Sequence, residues 1–193
     1  SVQKWKLSAP LPEREYTVQY RETDLAFVSR LLAEEGVYFV QHFTDEGLEL
    51  VLSDDPKGAG DIEGDPVLPF LQELGFELKE ECVYHVAHRH AVVPDKVFVR
   101  DRDFEKPAVM LEHAAESGDA GPHELEFYEY PGRFAAPAEA ARHAERLLLS
   151  LQAERLRVTA ETLSIRLVPG LRARIDEHPW PALNEEYLVL RSS

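Results

Sequence analysis

The sequence predicts an α+β fold, in which two main helices are set among short strands that follow one another closely enough to form hairpins and to argue an antiparallel sheet or barrel. Three observations carry that expectation. From Asp24 to Glu35, Leu25, Val28, Leu31 and Leu32 recur at three- and four-residue spacing, the period of a helix with one apolar face packed inward. Over residues 137–156, Ala140, Ala141, Ala144, Leu147, Leu148 and Leu151 make a second such stripe, opposite Glu139, Arg142, Glu145, Arg146 and Glu154. Around these lie short runs rich in valine, tyrosine, phenylalanine and leucine, bounded by glycine, proline and aspartate, as strands and turns are.

The first helix carries its own punctuation. Thr23 can accept a hydrogen bond from a first-turn N–H, Asp24 sits where the helix dipole favours negative charge, and Gly36 can take the left-handed conformation that ends a helix. Phe27 stands one turn before Leu31 and can meet it. Ahead of the helix, Glu15 to Tyr20 reads as a strand. After it, Val37 to Phe43 and Leu48 to Leu52 read as a hairpin across Thr44-Asp45-Glu46-Gly47. Residues 53–69 then gather Asp54, Asp55, Pro56, Gly58, Gly60, Gly64, Pro66 and Pro69, a long loop that places a boundary between a helix-and-hairpin subdomain (residues 1–69) and a barrel-like domain (residues 70–193).

Beyond the boundary, Glu81 to Val92, Lys96 to Asp103, Val109 to Ala115 and His123 to Tyr130 read as successive strands before the second helix, which Pro137 suits as a first-turn residue. After it come Val158 to Val168, a Pro169-Gly170 turn, Leu171 to Glu177, a Pro179-Trp180-Pro181 loop and a last strand near Tyr187 to Leu190. No internal repeat, heptad pattern or low-complexity tract marks a solenoid or a fibre.

Composition excludes several classes. A chain of 193 residues removes roughly 70% of its unfolded surface from water on folding and needs no covalent staple. The single cysteine, Cys82, rules out an intrachain disulfide and reads as a small buried hydrophobe; a nucleophilic role would need a histidine such as His85 or His88 beside it. A net charge of −15, with acids scattered along the chain, repels nucleic acid and anionic membrane surfaces. No apolar run reaches the ~20 residues that span a bilayer. The chain begins at Ser1 and its only methionine is Met110, so it reads as a trimmed piece of something longer.

Candidate chemistry is sparse. His85, His88 and His90 lie in one strand, where His88 and His90 share a face and His85 takes the other, so the three do not converge on one metal without a bulge. Asp54, Asp55, Asp61, Glu63 and Asp65 have the composition of a calcium loop but not the EF-hand order, which leaves a solvated acidic loop with at most weak calcium binding. No Gly-x-Ser-x-Gly elbow, P-loop, Gly-x-Gly-x-x-Gly or His-Glu-x-x-His is present. No catalytic residue, cofactor or metal is therefore assigned; a hydrolase or toxin built on the acidic loop or the histidine strand is the alternative.

Four segments, in order, carry a resemblance. They are Glu15-Tyr16-Thr17-Val18-Gln19-Tyr20-Arg21-Glu22-Thr23-Asp24, running through Phe27, Leu31 and Leu32 to Glu35-Gly36-Val37-Tyr38-Phe39; Arg102-Asp103-Phe104-Glu105-Lys106-Pro107; Tyr128-Glu129-Tyr130-Pro131-Gly132-Arg133-Phe134; and Leu167-Val168-Pro169-Gly170, with His178-Pro179 and Leu183-Asn184-Glu185-Glu186-Tyr187-Leu188-Val189. On these the chain resembles the VgrG spike proteins of type VI secretion, which are related to phage late control D and baseplate hub proteins. Physically, Pro131-Gly132 and Pro169-Gly170 are turns, and Tyr128, Tyr130 and Phe134 are aromatic packing positions.

The resemblance implies a structural part of a trimeric hub, with barrel domains of three chains docking on a hexameric tail tube and a needle carried by the same protein. It further implies assembly in the bacterial cytoplasm, export on firing and possible effector cargo. Three chains of net charge −15 would have to meet through apolar or charge-paired contacts, with the remaining acids turned outward.

Overall fold

The computed structural model describes residues 2–8, 10–14, 16–45, 47–72, 81–104, 106–118 and 125–193. Along these the chain forms β1 (Val2–Lys6), α1 (Asp24–Glu34), β2 (Tyr38–Thr44), β3 (Gly47–Ser53), β4 (Val67–Pro69), β5 (Val83–His90), β6 (Lys96–Arg102), β7 (Met110–Glu116), β8 (Glu126–Glu129), α2 (Pro137–Gln152), β9 (Leu156–Thr162), β10 (Arg172–Asp176) and β11 (Glu186–Leu188). This is the expected α+β class. The strands form small mixed sheets, ordered β1-β3-β2, β11-β10-β4, β5-β9 and β7-β6-β8. Two compact units result, one of Ser1–Ala87 with Thr159–Ser193 and the other of His88–Val158.

In the first unit α1 forms as its sequence dictates. Thr23 is extended, its hydroxyl accepts the Ala26 N–H at 3.2 Å, and Gly36 takes a φ of 68°. Gly36 N–H then donates to Ala33 O and Val37 N–H to Leu32 O, the paired bonds of a glycine-terminated helix, and Leu32 and Val37 bury together with Leu52. The apolar stripe behaves differently from expectation. Leu32 is buried at the C-terminal end, whereas Leu25 and Val28 are 66% and 47% exposed, because the hairpin β2–β3 covers only the last turns.

The stretch 16–20 is not a strand; Glu15 lies outside the described residues. Arg14 donates to Glu34 and Glu35 at the far end of α1, and Gln19 donates to Glu22 O and to Asp24 at its start, so these two side chains reach opposite ends of the helix. A strand the sequence does not announce, β1, adds instead to β3 in parallel, with Lys4 paired to Glu49.

The long loop is part of the core of this unit. Ile62 and Leu68 are buried with Val83, Ala173 and Ile175, and β4 pairs in parallel with β10. Residue 69, where the glycines and prolines suggest a boundary, therefore lies inside the first unit. Gly170 N–H donates to Val189 O at 2.8 Å and brings the Pro169-Gly170 turn against β11's exit.

The second unit is a sheet packed on a helix. Val97 and Val99 of β6 and Leu111 and Ala115 of β7 bury against Ala140, Ala144 and Leu148 of α2, with Phe134 closing the end. Two strands here are antiparallel, β6 with β7, but β8 returns to the other edge of β6 in parallel, so the expectation of a purely antiparallel sheet is corrected. The strand expected from His123 is shorter, and His123 itself lies outside the described residues. α2 starts as expected at Pro137, with Glu139 accepting the Ala135 and Ala136 N–H groups. It stops at Gln152 rather than 156, because Gln152 donates to Pro94 O and Arg155 is drawn to Asp95 at 2.8 Å, feeding β9.

Two predictions follow from the first unit. Gly170 has a φ of +86°, and a Cβ there would fall 2.8 Å from Val40 Cβ; Gly170→Ala should cost about 2–4 kcal/mol by urea unfolding, from backbone strain and overpacking together. Gly47→Ala, at φ +113° with nothing within 4 Å, should cost less, and equal losses would refute the packing argument. For Glu34, burial raises the pKa, but Arg14 and Arg30 outweigh it and hold the carboxyl below its ordinary value of 4.5. A carboxyl whose pKa folding lowers stabilises above its unfolded value and stops doing so as pH falls through the folded one. The melting temperature should therefore drop on acidification below about pH 5, and the drop should be shallower in Arg14→Gln/Arg30→Gln.

Candidate functional site

Alternation along β6 decides the geometry of the second unit. Val97, Val99 and Asp101 point toward α2, which leaves Lys96, Phe98, Arg100 and Arg102 on the opposite face of the sheet. Register extends that face across both neighbours. Phe98 stands opposite Tyr128 of β8, and Arg100 opposite Glu112 of β7, while Arg102 pairs with Met110.

The side chains interlock accordingly. The Phe98 and Tyr128 rings stack with centroids 5.9 Å apart, and the Arg100 guanidinium lies 5.5 Å from the Phe98 centroid. Arg100 also donates twice to Glu112, at 2.6 and 2.8 Å, which raises its pKa above the ordinary value. Beside them opens a groove of about 420 Å³, lined among others by Arg102, Pro107, Met110, Tyr128 and Tyr130.

Two loops complete the groove, and each is held by an aspartate. Asp103 accepts the Lys106 N–H at 3.1 Å, while Asp101 accepts the backbone N–H groups of Arg102 at 2.7 Å and Arg133 at 2.5 Å. Gly132 N–H reaches Arg100 O at 3.0 Å, just after the cis Tyr130–Pro131 bond. Both aspartates thus spend accepting capacity on backbone. The cations of Arg102, Lys106 and Arg133 have no carboxylate partner among the described residues.

The second and third of the resembling segments, 102–107 and 128–134, therefore converge on one surface. Of the aromatics read as packing positions only Phe134 is buried. Tyr128 and Tyr130 are 53% and 54% exposed, and Phe104 is 85% exposed. Sequence reasoning named these side chains but put the tyrosines inside; the period-2 pattern of β6 was the signal that places Tyr128 outside.

The remaining named residues lie in the first unit. Arg30 bonds Glu22 and stacks over Phe27, Arg21 takes a φ of 52° over the Tyr20 ring, and Glu35 holds Arg14. Leu31 is half-buried beside the buried Leu32. Tyr38 donates to Asp55 O. The fourth segment is an internal brace. Asn184 accepts the His178 N–H and donates back to His178 O, the His178 ring lies against Phe70 before Pro179, and Tyr187 donates to the O of buried Leu183.

The alternative chemistry does not assemble. His88 and His90 meet edge to face at 5.4 Å, His85 is exposed on the same strand, and Cys82 is fully buried. In the acidic loop Asp54 accepts from Ser8, Asp65 from the Val67 N–H, and Asp61 pairs with Arg172 at 3.0 Å, so the carboxylates diverge. Among the described residues no group of three histidine, cysteine, aspartate or glutamate side chains is placed to hold a metal ion, and no helix is long and apolar enough to cross a membrane.

A family model described as phage tail baseplate hub (GPD) matches residues 1–193. The chain is 34% identical over 182 residues to the type VI secretion system spike protein VgrG5 of Pseudomonas aeruginosa, covering 93% of this chain and 23% of that protein. The E. coli c3393 protein, described as a component of the type VI secretion system with structural similarity to the T4 phage tail proteins gp27 and gp5, shares the fold at a TM-score of 0.61 and 20% identity, over 96% of this chain and 37% of its own. The 43 kDa tail protein of prophage MuSo2 from Shewanella oneidensis does so at 0.62 and 14% identity, over 96% and 55%. The chain thus spans about a quarter of the length of the curated relative.

The exposed aromatics generate a stability prediction. Phe104→Ala and Tyr130→Ser should each leave thermal stability within about 0.5 kcal/mol. Gly132→Ala, whose Cβ would fall 2.8 Å from Phe134 Cζ, should cost about 1–3 kcal/mol. Comparable losses at all three, in thermal melts, would mean that the aromatics serve the core after all.

Proposed function

We propose a structural role for this chain, which belongs to the phage tail baseplate hub (GPD) family: it forms the hub part of a trimeric spike of the VgrG kind. The observation that carries the reading is the match along the whole chain, joined to a surface that offers aromatic and arginine side chains; among the described residues no histidine, cysteine, aspartate or glutamate group is placed to hold a metal ion. Tyrosine, arginine and methionine in a shallow groove are the composition of protein contacts, not of a reaction site.

In this reading the chain is not an enzyme. Its small sheets combine in the trimer into a barrel-like ring that docks on a hexameric tail tube, and the needle and any effector cargo belong to other parts of the protein. Assembly takes place in the bacterial cytoplasm and export follows firing. The charge of −15 suits a surface that meets neither nucleic acid nor anionic membrane.

Native mass spectrometry of the full-length protein tests the assembly. The expected mass is that of three chains over a wide concentration range. A monomer throughout would remove the hub reading.

A further inference from the structure

His178 builds a turn on a side chain that can change its charge. Its Nδ1 accepts the Trp180 N–H at 3.0 Å, two residues on and across Pro179, as an asparagine oxygen does in an Asx turn. Only a ring nitrogen without a proton can accept, so this bond requires the neutral imidazole with its proton on Nε2. The same Nδ1 lies 3.3 Å from Trp180 O, an acceptor it can bond only when it carries a proton. One ring atom thus faces a donor and an acceptor of the same residue, and its protonation state decides which of the two it bonds.

The other bonds that close the loop come from groups that do not titrate. Asn184 accepts the His178 N–H at 2.7 Å and donates to His178 O at 3.1 Å, while Trp180 O and Pro181 O accept the Leu183 and Asn184 N–H groups, each at 3.0 Å. Leu183 is buried and Trp180 is exposed. Phe70 packs against the imidazole with ring centroids 4.3 Å apart, and β4 before it carries no titratable side chain. On β10 and β11, Arg174 donates to Asn184 O, Glu186 pairs with Arg172 and Tyr187 donates to Leu183 O. Asp176, Glu177 and Glu185 flank the loop in the chain, and among the described residues no carboxylate is within ion-pair distance of the ring. Loss of the turn bond on protonation is therefore not offset by an ion pair with any of them.

We propose that the 178–184 loop is a proton-sensitive element of the first unit. Neutral His178 accepts the Trp180 N–H and locks the loop. A proton taken up from solvent turns Nδ1 into a donor, sets two N–H groups against each other and passes the ring's bond to Trp180 O. The Trp180 N–H loses this acceptor, and the turn from Trp180 to Asn184 opens more readily to water. The inference does not depend on the assembly proposed above.

Hydrogen–deuterium exchange, read by mass spectrometry on peptides covering residues 178–184 and corrected for the intrinsic pH dependence of exchange, tests it. The comparison is between about pH 7.5 and about pH 5.5, on either side of the ordinary histidine range. In the unsubstituted protein, protection of the Trp180, Leu183 and Asn184 amides should fall about tenfold at the lower pH, the scale of one hydrogen bond lost. In His178→Asn, whose side-chain oxygen can accept the same N–H without titrating, protection should be kept at the higher pH and should not change with acid, although the other histidines still titrate. His178→Ala should be poorly protected at both. An acid response of equal size in His178→Asn would place its origin in another group, and no response in the unsubstituted protein would mean that the turn does not depend on the proton; either result overturns the proposal. So would a loop unprotected at the higher pH in His178→Asn while β4 and β10 stay protected, because the Phe70 contact and not the turn bond would then hold it.

Discussion

Burial of Val97 and Val99 under Ala140 and Ala144 is the contact from which the arrangement of the second unit derives. Both valines and both alanines are fully buried. Each buried valine is worth ~1.5–3 kcal/mol in area removed from water, far more than any one surface contact. Alanine at both helix positions lets α2 approach the strand closely, and the pleat does the rest. With one face of β6 committed to the helix, Phe98, Arg100 and Arg102 have nowhere to go but outward, and the register carries Tyr128 and Met110 with them. A one-residue slip would exchange the two faces entirely. The surface chemistry is thus a consequence of the core, not an independent feature.

The same dependence governs the electrostatics of the groove. Asp101 lies on the helix-facing side of β6, yet its carboxylate satisfies the N–H groups of Arg102 and Arg133, holding the loop after Tyr130–Pro131 in place. Asp103 does likewise for the turn at Lys106. A carboxylate bonded to backbone still carries its charge, but its accepting sites are directed away from nearby guanidiniums. That Arg102, Lys106 and Arg133 have no carboxylate partner among the described residues accords with this loop anchoring. Arg100, by contrast, sits in register with Glu112 and is paired across the ladder, which leaves it to brace Phe98.

What was legible in the sequence was local. Thr23, Asp24 and Gly36 announce α1, and Pro137 with its alanine-leucine stripe announces α2, because capping and periodicity act within a few residues. What was not legible depends on partners distant in sequence. β1 has no alternation to betray it and exists because β3 offers an edge; β4 is three residues inside a loop-like composition, recruited by β10. Periodicity also says that a stripe is apolar without saying how far it is covered, which is why Leu25 and Leu32 read alike and fare differently. For Tyr128 aromatic character suggested burial, and the alternation of β6 places it outside only once the register with β8 is known.

Large apolar side chains stand exposed on both units. Scattered single hydrophobes are ordinary on protein surfaces, and only a clustered patch has consequences. Here the clusters lie on an irregular segment beside a helix and on a sheet face, while the long-range repulsion from a net charge of −15 opposes random encounters. Repulsion of that kind is screened within about 8–10 Å at physiological salt. Two copies are therefore repelled mainly at close approach, where the position of individual charges matters more than the net charge. Net charge therefore opposes encounters in general, while the choice between orientations falls to the local pattern of charged and apolar side chains.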